Sequence, residues 1–125
     1  MKTIQEILKP IQADFEEWYN KQGYQSYGII TIAAFYNMNS LDFQTGVLLR
    51  YFRERGIDIF PMLYVNPVEY YFYIYNHNNE NYSYSNSNPD YNIAFYEAIK
   101  KAVELVKWTT KHLSIPPLLF LLPVY

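Results

Sequence analysis

The stretch GIDIFPMLYVNPVEYYFYIY, residues 56–75, decides the fold of this chain. Apolar residues alternate with others from Ile57 to Val65, and the run from Glu69 to Tyr75 is rich in the aromatic residues that favour strands. The dipeptide Asn66–Pro67 between them is typical of a turn, so the stretch predicts a β-hairpin. Pro61 has no backbone N–H, which predicts a bulge or an edge position for the first strand.

The second strand of this hairpin has two chemically different faces, because successive side chains of a strand point to opposite sides. One face carries Tyr70, Phe72 and Ile74, and the other carries Tyr71, Tyr73 and Tyr75. Tyrosine combines a large rigid ring with a polar tip, and with Asn and Ser it makes an adaptable recognition surface.

Amphipathic helices are predicted before and after the hairpin. They run from about Thr3 to Gly23, from Leu41 to Arg55 and from Ile93 to His112. Thr3 and Glu6 form a capping box at the start of the first helix, and Pro10 should either kink that helix near Glu6 or mark the start of a shorter helix. Gly56 ends the second, and Asp90 or Asn92 caps the last.

A further strand is predicted from Tyr27 to Tyr36, where β-branched and apolar residues run on without alternation. Such a run indicates a central strand that is buried on both faces, although a helix is the competing prediction. Asn76 to Asp90 is predicted as a polar loop. The fold class is therefore α+β in the order α-β-α-β-β-α, with a small mixed or antiparallel sheet covered by helices.

Length and composition limit the classes of protein that remain. The 125 residues suit a single domain, residues 1–125. The chain has no cysteine, and its net charge of −2 with ten basic residues argues against nucleic acid as a partner. Neither a membrane span nor a secretory signal is evident, so a soluble cytoplasmic protein is expected. The chain closes with an extended, proline-rich apolar segment, Ser114 to Tyr125.

The portion from Leu41 to Leu105 resembles a type of small protein that is common among phage-encoded open reading frames. The resemblance rests on three pieces, which are Arg53-Glu54-Arg55-Gly56-Ile57, the aromatic hairpin strand Tyr70 to Tyr75, and Tyr96-Glu97-Ala98-Ile99. It implies an α/β sandwich, a location in the host cytoplasm and no assigned activity.

The candidate binding residues cluster on and beside the second hairpin strand. They are Tyr64, Glu69, Tyr71, Tyr73, Tyr75, His77, Tyr82 and Tyr84. The alternative is that this tyrosine face packs under the N-terminal helices. We favour that alternative at this point, because a first strand buried on both faces demands helices on both sides of the sheet.

No catalytic residue, cofactor or metal ligand set is predicted. His77, Glu80, Asp90 and His112 lack the spacing of metal ligands. The expected function is that of a non-enzymatic binding or accessory protein, which engages a protein partner or a second copy of itself, as a possible homodimer. The alternative is a binding protein for a nucleotide-like ligand or a sugar. The apolar tail, Leu118 to Leu122, is expected to dock on its own domain or at an oligomer interface.

Overall fold

The computed structural model of the chain describes residues 3–24, 30–38 and 41–113, with the side chains of all of these except residues 41 and 108–113. The elements are α1 (Ile4–Leu8), a 3-10 turn (Lys9–Ile11), α2 (Gln12–Lys21), α3 (Ile32–Asn37), α4 (Leu41–Glu54), β1 (Ile57–Val65), β2 (Val68–Asn76), β3 (Asn81–Tyr84) and α5 (Tyr91–Leu113). The predicted α+β class with a small antiparallel sheet is confirmed. The predicted extended tail from Ser114 lies outside the described residues.

The predicted hairpin is the centre of the sheet. β1 and β2 pair antiparallel, so that Ile59 lies opposite Ile74 and Met62 lies opposite Tyr71. The strands meet at Asn66–Pro67, whose peptide bond is cis. The sheet has the order β1-β2-β3, which makes β1 an edge strand, as Pro61 predicted.

The helices cover one face of this sheet, which we call the inner face. Phe72 is only 2% exposed, and its ring lies 5.7 Å from the ring of Phe95 on α5. Ile59 and Ile74 are buried on the same face. Burying each such side chain contributes roughly 1.5–3 kcal/mol to folding. The inner face therefore anchors the hairpin to the helical layer.

The N-terminal helix begins where the sequence predicted, and it is interrupted at Lys9–Ile11, later than the kink predicted near Glu6. The Thr3 hydroxyl accepts a hydrogen bond from the backbone N–H of Glu6, at 3.2 Å. Pro10 lies within the 3-10 turn, because its ring and its missing N–H do not fit the interior of an α-helix. The α-helix then resumes at Gln12.

The stretch predicted as a central strand, Tyr27 to Tyr36, differs from the prediction. Residues 25–29 lie outside the described part, but Ile32–Asn37 is helix α3. Thr31 caps this helix, since its hydroxyl accepts from the N–H of Ala34 at 3.1 Å. Ala33 and Ala34 are exposed, so the run is not buried on both faces. The competing helix prediction is the correct one here, because alanine favours helix and the cap starts it.

The predicted polar loop from Asn76 to Asp90 also contains regular structure. Asn81–Tyr84 forms β3, which pairs with β2 through Tyr73 opposite Tyr84 and Tyr75 opposite Tyr82. Cross-strand aromatic pairs stabilise a sheet, which explains why a polar segment forms a strand at this edge. Asp90 then caps α5, as predicted, since its carboxylate accepts from the N–H of Asn92 at 2.8 Å.

Buried and half-buried polar groups help to hold the helical layer together. Asp14 on α2 accepts hydrogen bonds from Arg55 Nε at 2.8 Å and from the Tyr51 hydroxyl at 2.5 Å. Partial burial raises the pKa of Asp14, but these hydrogen bonds outweigh it and hold the pKa below its ordinary value. Tyr19 is fully buried and donates to the carbonyl of Ile30 at 2.8 Å, and burial raises its pKa to about 12.

Gly56 ends α4 in the left-handed region, with φ at +83°. The Asn78 side chain crosses this point and donates to the carbonyl of Arg55 at 3.0 Å. A Cβ atom at Gly56 would lie 2.8 Å from the Asn78 amide nitrogen. Only glycine therefore fits both the backbone angle and the close approach of the amide.

Candidate binding face

The sheet surface opposite the inner face is covered by large side chains, and we call it the aromatic face. Its members are Phe60, Met62, Tyr64, Tyr71, Tyr73, Tyr75, Tyr82 and Tyr84. Every member is at least partly exposed, with Tyr64 at 51% and Tyr82 at 63%. The alternative that the N-terminal helices cover the tyrosines is wrong, because these side chains are at least partly exposed and because Ile32–Asn37 forms a helix within the stretch predicted as a central strand.

The rings of this face contact one another across the strands. Tyr64 and Tyr71 stack with their centroids 4.4 Å apart, and Tyr73 and Tyr82 stack at 5.6 Å. Tyr84 lies 5.5 Å from Tyr73. Desolvation by these neighbours raises the pKa of Tyr71 and of Tyr73, and nearby tyrosine hydroxyls raise it further. The rings therefore form one continuous surface with phenol groups at their tips.

His77 lies at one end of the aromatic face. Its ring is 4.6 Å from the ring of Tyr75, edge to face. Its Nε2 atom lies 2.6 Å from Asp58 Oδ2, and Arg53 Nε lies 3.4 Å from the other carboxylate oxygen. Asp58 is therefore shared between two basic groups. This end of the face has its charges matched within the chain.

Glu69 lies at the other end of the face, opposite Tyr64 in the β1–β2 register. It accepts a hydrogen bond from the Ser87 hydroxyl at 3.1 Å. No Lys or Arg side chain among the described residues forms an ion pair with it. The two carboxylates of the face thus differ, since Asp58 has Arg53 and His77 beside it, whereas Glu69 has no Lys or Arg partner among the described residues.

The structure brings together all eight residues that the sequence singled out, and it adds two that the sequence reasoning missed. Phe60 is 47% exposed and lies 6.2 Å from Tyr73, and Met62 is 41% exposed. Their signal was available, because the alternation in β1 places them on the side opposite Ile57 and Ile59. The antiparallel register then determines that this side is the tyrosine side.

The tip of the hairpin carries exposed apolar side chains. Val65 is 78% exposed, Val68 is 56% exposed and Leu63 is 52% exposed. These three side chains lie on the side of the inner face, beyond the helical cover. Contiguous exposed apolar surface of this kind is typical of interaction sites.

The free edge of β1 is poorly suited to pairing with another strand. Phe72 directs its N–H and carbonyl toward Ser85, on the β3 side, so Pro61 opposite Phe72 directs its own backbone groups to the free edge. Pro61 has no N–H to offer there, and a proline on an edge discourages strand addition. A partner is therefore better placed on the face than along this edge.

The clefts elsewhere on the surface lie beside the helices. A cleft of about 360 Å³ between α1 and α5 is lined by Glu6, Glu97 and Lys101 among others, and further clefts lie beside α2. Within the described residues no three His, Asp or Glu side chains converge as a metal site, and none of the described helices is long and apolar enough to cross a membrane. The His112 side chain lies outside the described part.

Comparison with protein-family models, with curated proteins and with solved structures finds nothing that matches this chain. The resemblance to small phage-encoded proteins therefore stays a prediction.

Proposed function

We propose that this protein acts by binding, and that it docks a segment of a partner protein on the aromatic face. The observation that carries the proposal is that eight apolar and aromatic side chains on one sheet face are all at least partly exposed. Tyrosine-rich surfaces favour recognition, since the rings supply contact area and the hydroxyls supply hydrogen bonds.

The face is long enough to hold an extended segment of a partner. Six residue steps along β1 and three strands give a footprint of about 20 by 14 Å, or roughly 300 Å². A peptide segment of about six residues matches the length of the face.

The second candidate is a binding protein for a small planar ligand that stacks on the tyrosines. The stacked pair Tyr73–Tyr82 favours it, because an exposed ring can hold another flat ring. Small-ligand sites are usually concave, however, and the clefts described above are lined by residues outside the aromatic face. We therefore place a protein segment first.

A site-specific cross-link tests the proposal directly. A photoreactive phenylalanine derivative replaces Met62 on the aromatic face, and a matched control replaces the exposed Lys100 on α5. Each protein is irradiated in an extract of its source cells, and the adducts are identified by mass spectrometry. A third protein carries Tyr73→Ser together with the label at position 62, and circular dichroism checks that it remains folded.

The proposal expects an adduct with another protein from position 62, its loss with Tyr73→Ser, and no such adduct from position 100. Adducts that join position 62 only to residues 114–125 or to a second copy would mean that the chain itself occupies the face. That outcome overturns the partner proposal. Equal labelling from both positions overturns it as well. A thermal-shift panel of nucleotides and sugars tests the second candidate, since a bound ligand must stabilise the native state.

A further inference from the structure

We propose that the Glu69 end of the aromatic face is a subsite for an arginine side chain of the docked segment, an inference that rests on the proposed function. The subsite consists of Glu69 and the stacked rings of Tyr64 and Tyr71. The carboxylate and the two rings would together bind the guanidinium group.

The register places these three side chains together. Glu69 lies directly opposite Tyr64, where side chains of paired strands start about 5 Å apart. Tyr71 follows Glu69 by two residues on the same face, about 7 Å along the strand. The rings of Tyr64 and Tyr71 stack at 4.4 Å, which holds both beside the carboxylate. A group that bonds to Glu69 therefore lies over or against these rings.

Charge favours a cation at this position. Glu69 has no ion-pair partner among the described residues, whereas Asp58 at the far end is already shared by Arg53 and His77. The π-faces of tyrosine rings attract cations as well. Phosphate groups are disfavoured for the same reasons, so an aromatic face of this kind does not suit nucleic acid.

Arginine fits these groups better than lysine does. Its guanidinium is planar, so it stacks on an aromatic ring and donates two parallel hydrogen bonds to one carboxylate. The chain uses the same chemistry internally. Arg55 forms a bidentate pair with Asp14, at 2.8 and 3.1 Å, while its guanidinium carbon lies 4.9 Å from the centroid of the Tyr51 ring.

The test uses the full chain and two synthetic peptides that differ only in charge. One is acetyl-hexaarginine amide, and the other replaces each arginine by citrulline, its neutral isostere. Backbone amide shifts in NMR titrations report both the Kd and the site. The variants are Glu69→Gln and Tyr71→Leu, and the control is Glu80→Gln, which removes the same charge beyond the other end of β2, in the turn before β3.

The arginine peptide should shift the amides of residues 64, 69 and 71, and the citrulline peptide should bind more weakly. We expect Glu69→Gln to weaken arginine binding by about two- to five-fold. Tyr71→Leu should weaken it by about the same factor, through loss of the cation–π contact. Tyr71→Phe keeps the ring and should stay within about two-fold, as should Glu80→Gln.

Three results would overturn the inference. If both peptides bind equally well on the face, the proposed preference for a cation is wrong, although the aromatic face would still be a docking surface. If Glu69→Gln and Glu80→Gln weaken binding equally, the peptide is attracted by the negative charge of the whole protein and not by a subsite at Glu69. An absence of shifts on the face with either peptide would reject the subsite, and the cross-link from position 62 would then decide separately whether the face binds a partner at all.

Discussion

Phe72 and Tyr73 are neighbours on β2 that point to opposite faces of the sheet, and truncating each to alanine measures which face is open. Phe72 is 2% exposed and packs against Phe95 and Tyr91. Removing such a buried ring costs about 3–5 kcal/mol of unfolding free energy, because it loses the transfer energy and leaves a cavity. We therefore expect about 4 kcal/mol for Phe72→Ala.

Tyr73 contacts Phe60, Tyr82 and Tyr84 across the strands, with no helix among these ring partners. Three cross-strand pairs at about 0.2–1 kcal/mol each give about 0.6–3 kcal/mol for Tyr73→Ala, with a central value of ~1.5 kcal/mol. With a urea m-value of about 1.5 kcal/mol/M, the midpoint should fall by about 1 M for Tyr73→Ala and by about 2.7 M for Phe72→Ala.

The assay is urea unfolding followed by circular dichroism, repeated at two protein concentrations. Tyr73→Phe is the control, and it should change stability by less than about 0.5 kcal/mol because only an exposed hydroxyl is removed. If Phe72→Ala does not fold, Phe72→Leu replaces it. The reasoning is refuted if Tyr73→Ala costs as much as Phe72→Ala. A cost that grows with protein concentration would show instead that a second copy covers the face.

The other predictions concern groups away from the aromatic face. Gly56→Ala should lower the unfolding free energy by about 1–3 kcal/mol, because alanine is strained at positive φ and meets a side chain there. Gly46→Ala, in the open middle of α4, should instead raise it by about 0.5–1 kcal/mol, and urea unfolding of both variants compares the signs. The carboxylate of Asp14 has a lowered pKa in the folded state, so its contribution is present above pH ~4 and is lost as pH falls further. The Asp14 side chain is 42% exposed, so Asp14→Asn should lower the free energy of unfolding by only about 0.5–1.5 kcal/mol at pH 7. Urea unfolding at a series of lower pH values should show this difference becoming smaller. Tyr19 has its pKa raised to about 12, so its contribution is complete below pH ~10 and is lost as pH rises toward 12. The Tyr19→Phe variant should therefore lose less stability than the native chain between pH ~10 and 12, as measured by thermal unfolding. Equal losses would contradict a raised pKa at Tyr19.

The elements predicted correctly are those whose signals are local. The hairpin of β1 and β2, the end of α4 at Gly56 and the cap of α5 at Asp90 each depend on a few adjacent residues. A turn dipeptide, a left-handed glycine and a capping carboxylate act over one turn of chain. Alternation along β2 also placed its tyrosines on a common face before any tertiary contact was known.

The elements predicted wrongly depended on partners distant in sequence. The run from Ile30 to Tyr36 has the composition of a buried strand, but a strand needs a neighbour to satisfy its backbone, and Thr31 caps a helix instead. The segment Asn81–Tyr84 has the composition of a loop, yet β2 supplies the hydrogen bonds and ring contacts that make it a strand. Neither partner can be identified from the local residue pattern.

The local residue pattern is enough to predict the hairpin, its alternation and the gathering of tyrosines on one side of a strand, because side-chain parity is a property of the extended backbone. Which side meets water depends on tertiary packing. The helices pack against Phe72 and Ile74, so the tyrosines lie on the exposed side together with Phe60 and Met62. Glu69 lies beside two of these rings and forms no ion pair with a Lys or Arg among the described residues. Burial and charge pairing depend on contacts between distant residues, and strand parity alone does not contain them.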